Sequence, residues 1–171
     1  MTSASERLTP IFKQSASRSS HTCTTNVAKE RGVRETAWPP CVTALNYIIK
    51  MTGAAIVVTS TWRMGTTLAE LRELLGQWGI EGRVVGKTPN LCGLINGVWT
   101  TKERSEEIRQ WLQDQEASRA NVESFVILDD DDDVGYKGRH IKTDMQDGLT
   151  EVHAEAAIGL LQSDVLSDAR P

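Results

Sequence analysis

Residues 124–133, with the sequence SFVILDDDDD, join a short apolar run to five consecutive aspartates. An uninterrupted apolar run that is too short for a helix is typical of a strand buried on both faces. The aspartates would follow its C-terminal end, which is the edge where open α/β sheets bind ligands. Carboxylates at this place suit a divalent cation, and the alternative interpretation is a solvated acidic turn.

Side chains that can hold phosphate stand at two other predicted boundaries. Thr59 and Ser60 follow the apolar run 54–58, and Lys102 and Arg104 lie near the start of a predicted helix. Hydroxyl and backbone N–H groups bind phosphate oxygens, and a cation offsets the charge that develops in phosphoryl transfer. Taken singly, each of these residues is more commonly a local cap or a surface charge. Because strand ends and helix starts share one rim in a doubly wound fold, we expect the three groups to converge.

Apolar spacing and turn residues predict strands that alternate with helices. The predicted helices run from Pro39 to near Gly53, from Thr67 to Gly79, from Thr100 or Thr101 onward, and after Thr150. The predicted strands lie at 54–58, 83–86, 124–128 and 139–143, the last at a sheet edge, and residues 87–98 are predicted to be a loop. This alternation favours a parallel sheet with helices on both faces.

The length of 171 residues suits one domain, which we place at residues 38–162. Residues 1–37 are rich in Ser, Thr and Arg, so we predict a disordered or atypical N-terminal segment, and residues 163–171 are predicted to be a tail. Acidic residues are unevenly distributed, since no aspartate precedes Asp114.

Three widely spaced cysteines without a CxxC pair predict neither a disulfide framework nor a zinc site. No apolar run approaches the ~18 residues of a membrane span, and no signal-peptide core is evident. The default expectation is therefore a cytoplasmic protein. A mitochondrial transit peptide has a similar composition to residues 1–37, but that segment lacks a clear amphipathic helix.

Four segments together resemble the haloacid dehalogenase (HAD) superfamily, and most closely the HAD-like domains of Swiss-army-knife RNA repair proteins. They are VVTSTWR at 57–63, RSEEIRQWL at 104–112, VILDDDDD at 126–133 and KTDMQDGLT at 142–150. The resemblance covers about residues 38–161. It implies a Rossmann-like three-layer sandwich with a mainly parallel sheet, and Mg²⁺-dependent hydrolysis of phosphate esters, such as a nucleotide or a nucleic-acid end.

The resemblance also implies roles for the phosphate-binding residues. The family's phosphate-binding Ser or Thr falls on Thr59, with Ser60 as the alternative. The Lys or Arg that steadies the transferred group matches Arg104, and Lys102 is close enough in sequence to compete.

The family's acidic metal-binding pair falls on Asp129 and Asp130, and Asp133 offers the wider spacing that some members use. Trp62 and Arg63 also fit the pattern of the subgroup, without an assigned role.

The family's first motif is not found in this sequence. Members begin with a strand that ends in Asp-x-Asp, which supplies the nucleophile and a general acid/base, whereas no aspartate precedes Asp114 here. The first strand is therefore expected to be absent or degenerate: either residues 8–13 fill its place, or a different N-terminus has replaced it. Since covalent phosphoryl transfer needs a positioned nucleophile, we expect little or no phosphatase turnover. The alternative is a non-catalytic domain that binds a phosphate-bearing ligand, nucleic acid or a protein.

Overall fold

A computed structural model describes residues 8–11, 37–95, 98–120, 122–144 and 146–163. The strands in these ranges are β1 (Leu8–Ile11), β2 (Ala55–Val58), β3 (Val84–Lys87), β4 (Gly93–Ile95), β5 (Val98–Thr100), β6 (Ile127–Asp129) and β7 (His140–Lys142). The α-helices are α1 (Pro39–Thr52), α2 (Leu68–Gln77), α3 (Arg104–Ala117) and α4 (Glu151–Gln162). None of these four is long and apolar enough to cross a membrane. Most of the predicted N-terminal segment and of the predicted tail lies outside the described residues.

Five strands form one parallel sheet in the order β3-β2-β1-β6-β7. Parallel neighbours need crossover connections: α1 and α2 lie in those from β1 to β2 and from β2 to β3, α3 precedes β6, and the connection from β6 to β7 contains a short 3₁₀ helix, Lys137–Arg139. Strand β7 lies at an edge of this sheet, as predicted for residues 139–143. The predicted α/β fold with a mainly parallel sheet is confirmed.

The place between β2 and β6 is filled by β1. Its residues pair one to one with Ala55–Val58, and Ile11 also pairs with Leu128. A short strand therefore occupies this place in the sheet, and it lies before the predicted domain start at residue 38. The strand signal is weak because Pro10, which pairs with Val57, has no N–H group to donate to a neighbour.

Helices cover both faces of the sheet and make three layers. On one face α1, α2 and α4 pack against side chains that include Ile56 and Leu128. On the other face α3 packs against the alternate positions, for example through Trp111 and Val57. Successive side chains of a strand point to opposite faces, so the continuous apolar runs of β2 and β6 serve both layers.

The helix ends follow local sequence signals. Helix α1 has Pro39 in its first turn and ends at Gly53, whose φ of 69° is easily adopted by glycine. In α2 the Thr67 hydroxyl accepts the Glu70 N–H at 3.2 Å, while the Glu70 carboxylate accepts the Thr67 N–H at 2.8 Å. The predicted capping box is confirmed, and Thr150 caps α4 as predicted.

Residues 87–98 were predicted to be a loop, but β4 and β5 within this region form an antiparallel hairpin. The available signal was the Asn96-Gly97 dipeptide between two short apolar runs. Since residues 98–100 are extended in β5, the next helix cannot begin at Thr100 or Thr101. It begins at Arg104 instead.

Candidate functional site

Thr59 and Asp129 lie at the carboxyl edge of the sheet, on either side of β1. Thr59 directly follows β2, and Asp129 is the last residue of β6. Ile11 at the end of β1 pairs with both Val58 and Leu128, the residues that precede them. Both Thr59 and Asp129 are 1% exposed, so their polar groups lie in a region largely shielded from water.

Arg104 connects these two strand ends. Its Nη1 donates to the carbonyl oxygen of Thr59 at 2.8 Å, and its Nε lies 3.6 Å from Asp129 Oδ2. The same Nε is 3.7 Å from Asp133 Oδ1. Arg104 is buried, and the next residue, Ser105, donates its N–H to the Asp133 carbonyl at 3.0 Å. The start of α3 is thus fixed against the acidic loop, with its first side chain directed into the site.

Lys102, the competing cation in the sequence, is placed differently. Its Nζ lies 3.1 Å from Glu106 Oε1, and both side chains are more than a third exposed. This partly exposed i,i+4 ion pair joins the residues just before α3 to its first turn. Of the two cations, the structure brings Arg104 to Thr59 and Asp129.

Three of the five aspartates form a group that suits a metal ion. Asp129, Asp130 and Asp131 each offer a carboxylate oxygen, and these oxygens lie within 4.8 Å of one another. Asp130 Oδ1 is buried without a hydrogen-bond partner among the described residues. Mg²⁺ prefers hard oxygen ligands and is commonly held by one or two carboxylates, so this donor set fits it.

The remaining two aspartates have cationic neighbours. Asp133, which the sequence suggested as a wider-spaced ligand, has its carboxylate beside Arg104, and Asp131 takes its place in the group of three. Asp132 is exposed and accepts a hydrogen bond from Lys142 Nζ. That hydrogen bond, helped by the charge of Lys142, lowers the pKa of Asp132 below its usual value.

The backbone of Asp129 is held by the neighbouring strand. Its carbonyl oxygen accepts the N–H of Thr143 at 2.9 Å and lies 3.1 Å from His140 Nε2. Its Oδ1 accepts the N–H of Asp131 at 3.0 Å, which tightens the turn after β6. Strand β7 therefore fixes the direction in which the acidic loop leaves the sheet.

Both hydroxyl candidates lie at the end of β2. Ser60 is fully buried, and its Oγ has no hydrogen-bond partner among the described residues. The carbonyl oxygen of Thr59 accepts hydrogen bonds from two arginines, Arg104 and Arg63. The two donors fix the peptide that joins Thr59 to Ser60, so both hydroxyls start from a rigid backbone.

Arg63 is the fully buried centre of this region. Its guanidinium donates to the carbonyls of Thr59 at 2.6 Å, Ser60 at 3.0 Å, Thr88 at 3.0 Å and Pro89 at 3.1 Å. It also forms an ion pair with Glu107, and burial, the largest influence, lowers the pKa of Arg63.

Glu107 completes this arrangement from α3. Its other carboxylate oxygen accepts the Leu91 N–H at 3.2 Å. The Arg63–Glu107 pair therefore ties together the loop after β2, the loop after β3 and α3, whose first residue is Arg104. Sequence reasoning noted Arg63 only through its motif and gave Glu107 no role, because a pairing across 44 residues leaves no local signal.

The comparisons with known proteins agree with this architecture. A family model described as the HAD domain in Swiss Army Knife RNA repair proteins matches residues 14–154, which is most of the chain. Strand β1 precedes the matched range. Comparison with curated proteins and with solved structures found no match.

Proposed function

The chain belongs to the HAD domains of Swiss Army Knife RNA repair proteins, a phosphohydrolase-type family, and on this premise we propose that it binds a phosphate-bearing ligand together with Mg²⁺ but hydrolyses it slowly or not at all. The ligand class we propose is the phosphate end of a nucleotide or nucleic acid. Thr59 or Ser60 and Arg104 would contact the phosphoryl group, and Asp129 and Asp130 would hold the metal.

One observation carries the binding part of the proposal. Arg104 reaches Thr59 at 2.8 Å and Asp129 at 3.6 Å, so the three motifs that the sequence separates by 70 residues meet around one guanidinium. A cation beside a hydroxyl-bearing loop and a carboxylate group can stabilise the charge on phosphoryl oxygens. When bound, Mg²⁺ would neutralise further charge on the same oxygens.

The catalytic part of the proposal depends on β1. In the family the nucleophile follows the first strand, and here the residues after Ile11 in the sequence are Phe12, Lys13 and Gln14. The register of Ile11 with Val58 and Leu128 supports β1 as the counterpart of that first strand. None of these three residues carries a carboxylate, so this position offers no nucleophile for covalent phosphoryl transfer.

Hydrolysis of para-nitrophenyl phosphate, with and without Mg²⁺, tests the catalytic part. We expect no Mg²⁺-dependent rate above background for the unaltered chain. Robust turnover that Asp129→Ala abolishes would contradict the proposal. Introducing Phe12→Asp together with Gln14→Asp is expected to create Mg²⁺-dependent turnover, because it restores Asp-x-Asp after β1. If this folded variant gains nothing, β1 is not the counterpart of the family's first strand.

Calorimetric titration with Mg²⁺ and a 5′-phosphorylated oligoribonucleotide tests the binding part. Asp129→Asn is expected to weaken binding by about tenfold or more, since about 1.4 kcal/mol corresponds to a tenfold change. Asp132→Asn is the matched control, because Asp132 lies in the same aspartate run but is exposed and paired with Lys142. Equal effects of the two substitutions, or no binding by the unaltered chain, would refute the metal and phosphate site.

A further inference from the structure

Two buried hydroxyls at the carboxyl edge of the sheet make no hydrogen bond to the described residues. Ser60 is 0% exposed and Thr88 is 3% exposed, and neither Ser60 Oγ nor Thr88 Oγ1 has a hydrogen-bond partner among the described residues. A buried hydroxyl without a partner costs free energy compared with one in water. Valine has nearly the shape of threonine and would avoid this cost at position 88, so packing alone does not explain a threonine there.

Thr88 is held rigidly at this edge. Its N–H donates to the Val58 carbonyl at 3.0 Å, and its carbonyl accepts Arg63 Nε at 3.0 Å. The same guanidinium donates to the Ser60 carbonyl through Nη1. Thr88 and Ser60 therefore follow neighbouring parallel strands, and both of their carbonyls bind the Arg63 guanidinium. The neighbouring Thr59 carbonyl accepts a hydrogen bond from Arg104.

The position of Thr88 in the sheet indicates which part of a ligand it could reach. Neighbouring strands lie about 4.8 Å apart, so β3 lies three spacings, or about 14 Å, from β6. One phosphoryl group cannot extend from the carboxylate of Asp129 to Thr88. Ser60, after β2, is one strand nearer to the metal-binding end.

On these grounds, and resting on the proposed function, we propose that Thr88 is a specificity-determining residue whose hydroxyl bonds the sugar of a sugar-phosphate ligand, while the Ser60 hydroxyl bonds its phosphate. Each hydroxyl, which has no partner among the described residues, then gains one when the ligand binds. Thr88 and Ser60 follow strands that are one spacing apart, so substitutions at the two positions test the sugar contact and the phosphate contact separately.

The test uses isothermal titration of the full chain, in the presence of Mg²⁺, with inorganic phosphate and with ribose 5-phosphate. Thr88→Val is expected to weaken ribose 5-phosphate about 5- to 10-fold, the effect of one lost hydrogen bond, and to leave inorganic phosphate unchanged. Ser60→Ala is expected to weaken both. The melting temperature of Thr88→Val should stay equal or rise, because the substitution removes an unsatisfied group.

Thr66→Val is the matched control, because the Thr66 hydroxyl is already satisfied by the Trp62 carbonyl at 2.8 Å. It should lower the melting temperature without changing either affinity. If Thr88→Val leaves ribose 5-phosphate binding unchanged, or lowers the melting temperature as Thr66→Val does, the inference is wrong while the proposed function stands. If the unaltered chain binds neither probe, both fail.

Discussion

Replacing Arg63 by methionine should destabilise the domain more than any surface substitution. The change keeps much of the apolar stem but removes every donor of the guanidinium. It leaves the carboxylate of Glu107, whose side chain is 6% exposed, without its ion-pair partner. It also removes a donor from four carbonyls, although the Thr59 carbonyl keeps its hydrogen bond from Arg104 and the Ser60 carbonyl keeps the one from the backbone N–H of residue 63.

The magnitude follows from these losses. Removing one partner of a buried ion pair costs about 3–5 kcal/mol, and the carbonyls that lose a partner add to this. The total is a large part of the roughly 5–15 kcal/mol by which domains are stable. In a chain of this length each kcal/mol corresponds to about 2–4 °C, so a fall in melting temperature of roughly 10 °C or more is expected.

Urea unfolding followed by circular dichroism measures the free energy of unfolding of Arg63→Met and of two companion variants. Glu107→Gln should cost less than Arg63→Met, because the amide keeps an oxygen acceptor and Arg63 keeps its carbonyl partners. Lys102→Met removes an exposed ion pair, which is worth about 0–1 kcal/mol. If Arg63→Met costs no more than Lys102→Met, the proposed role of the buried pair is refuted.

Two further predictions concern local geometry and pH. Gly148→Ala should lower the melting temperature, because φ is 58° there and an added Cβ would lie 2.6 Å from Cys41 Sγ. Gly159 lies within α4 with open space around it, so Gly159→Ala should raise the free energy of unfolding by up to about 1 kcal/mol. Equal effects of the two substitutions would contradict this reasoning. Lys142→Met should raise the pKa of Asp132 toward its ordinary value, as measured by NMR titration of the carboxylate. Because the folded-state pKa of Asp132 is lowered, the stabilisation from this pair is present above the ordinary carboxyl pKa and is lost as pH falls through the lowered one. An unchanged pKa in Lys142→Met would show that the hydrogen bond is not its cause.

The elements that the sequence predicted well are those with signals at their own ends. The capping box of Thr67 and Glu70, the prolines at the start of α1 and Gly53 at its end act within a few residues, so they can be read without knowing the tertiary structure. The apolar runs of β2 and β6 are equally local. Their alternation with helices was sufficient for the fold class.

Strand β1, which the sequence did not settle, depends on distant partners. Residues 8–11 are four in number and include Pro10, so their strand conformation depends on the two neighbours that pair with them rather than on their own preference. The sequence offered this segment only as one of two options for the first strand.

The candidate site shows the same division. The rule that ligand-binding groups follow parallel strands predicted from the sequence that Thr59, Arg104 and Asp129 lie close together. It could not choose Arg104 over Lys102, because that choice depends on the hairpin before α3, which moves the start of the helix. Nor could it show that Glu107, in the same helix, is paired with Arg63.

The shared carbonyl of Thr59 has a consequence for related sequences. Two guanidinium groups meet at this one oxygen, and burial lowers the pKa of Arg63, with a further lowering from the charge of Arg104. Each cation is offset by its own acid, so the series Glu107, Arg63, Arg104 and Asp129 has one acid at each end and the two arginines side by side between them. In related sequences the two members of an ion pair should therefore change together, so that a relative without Arg63 also lacks Glu107. Loss of one acid alone would leave two like charges facing each other across a single peptide.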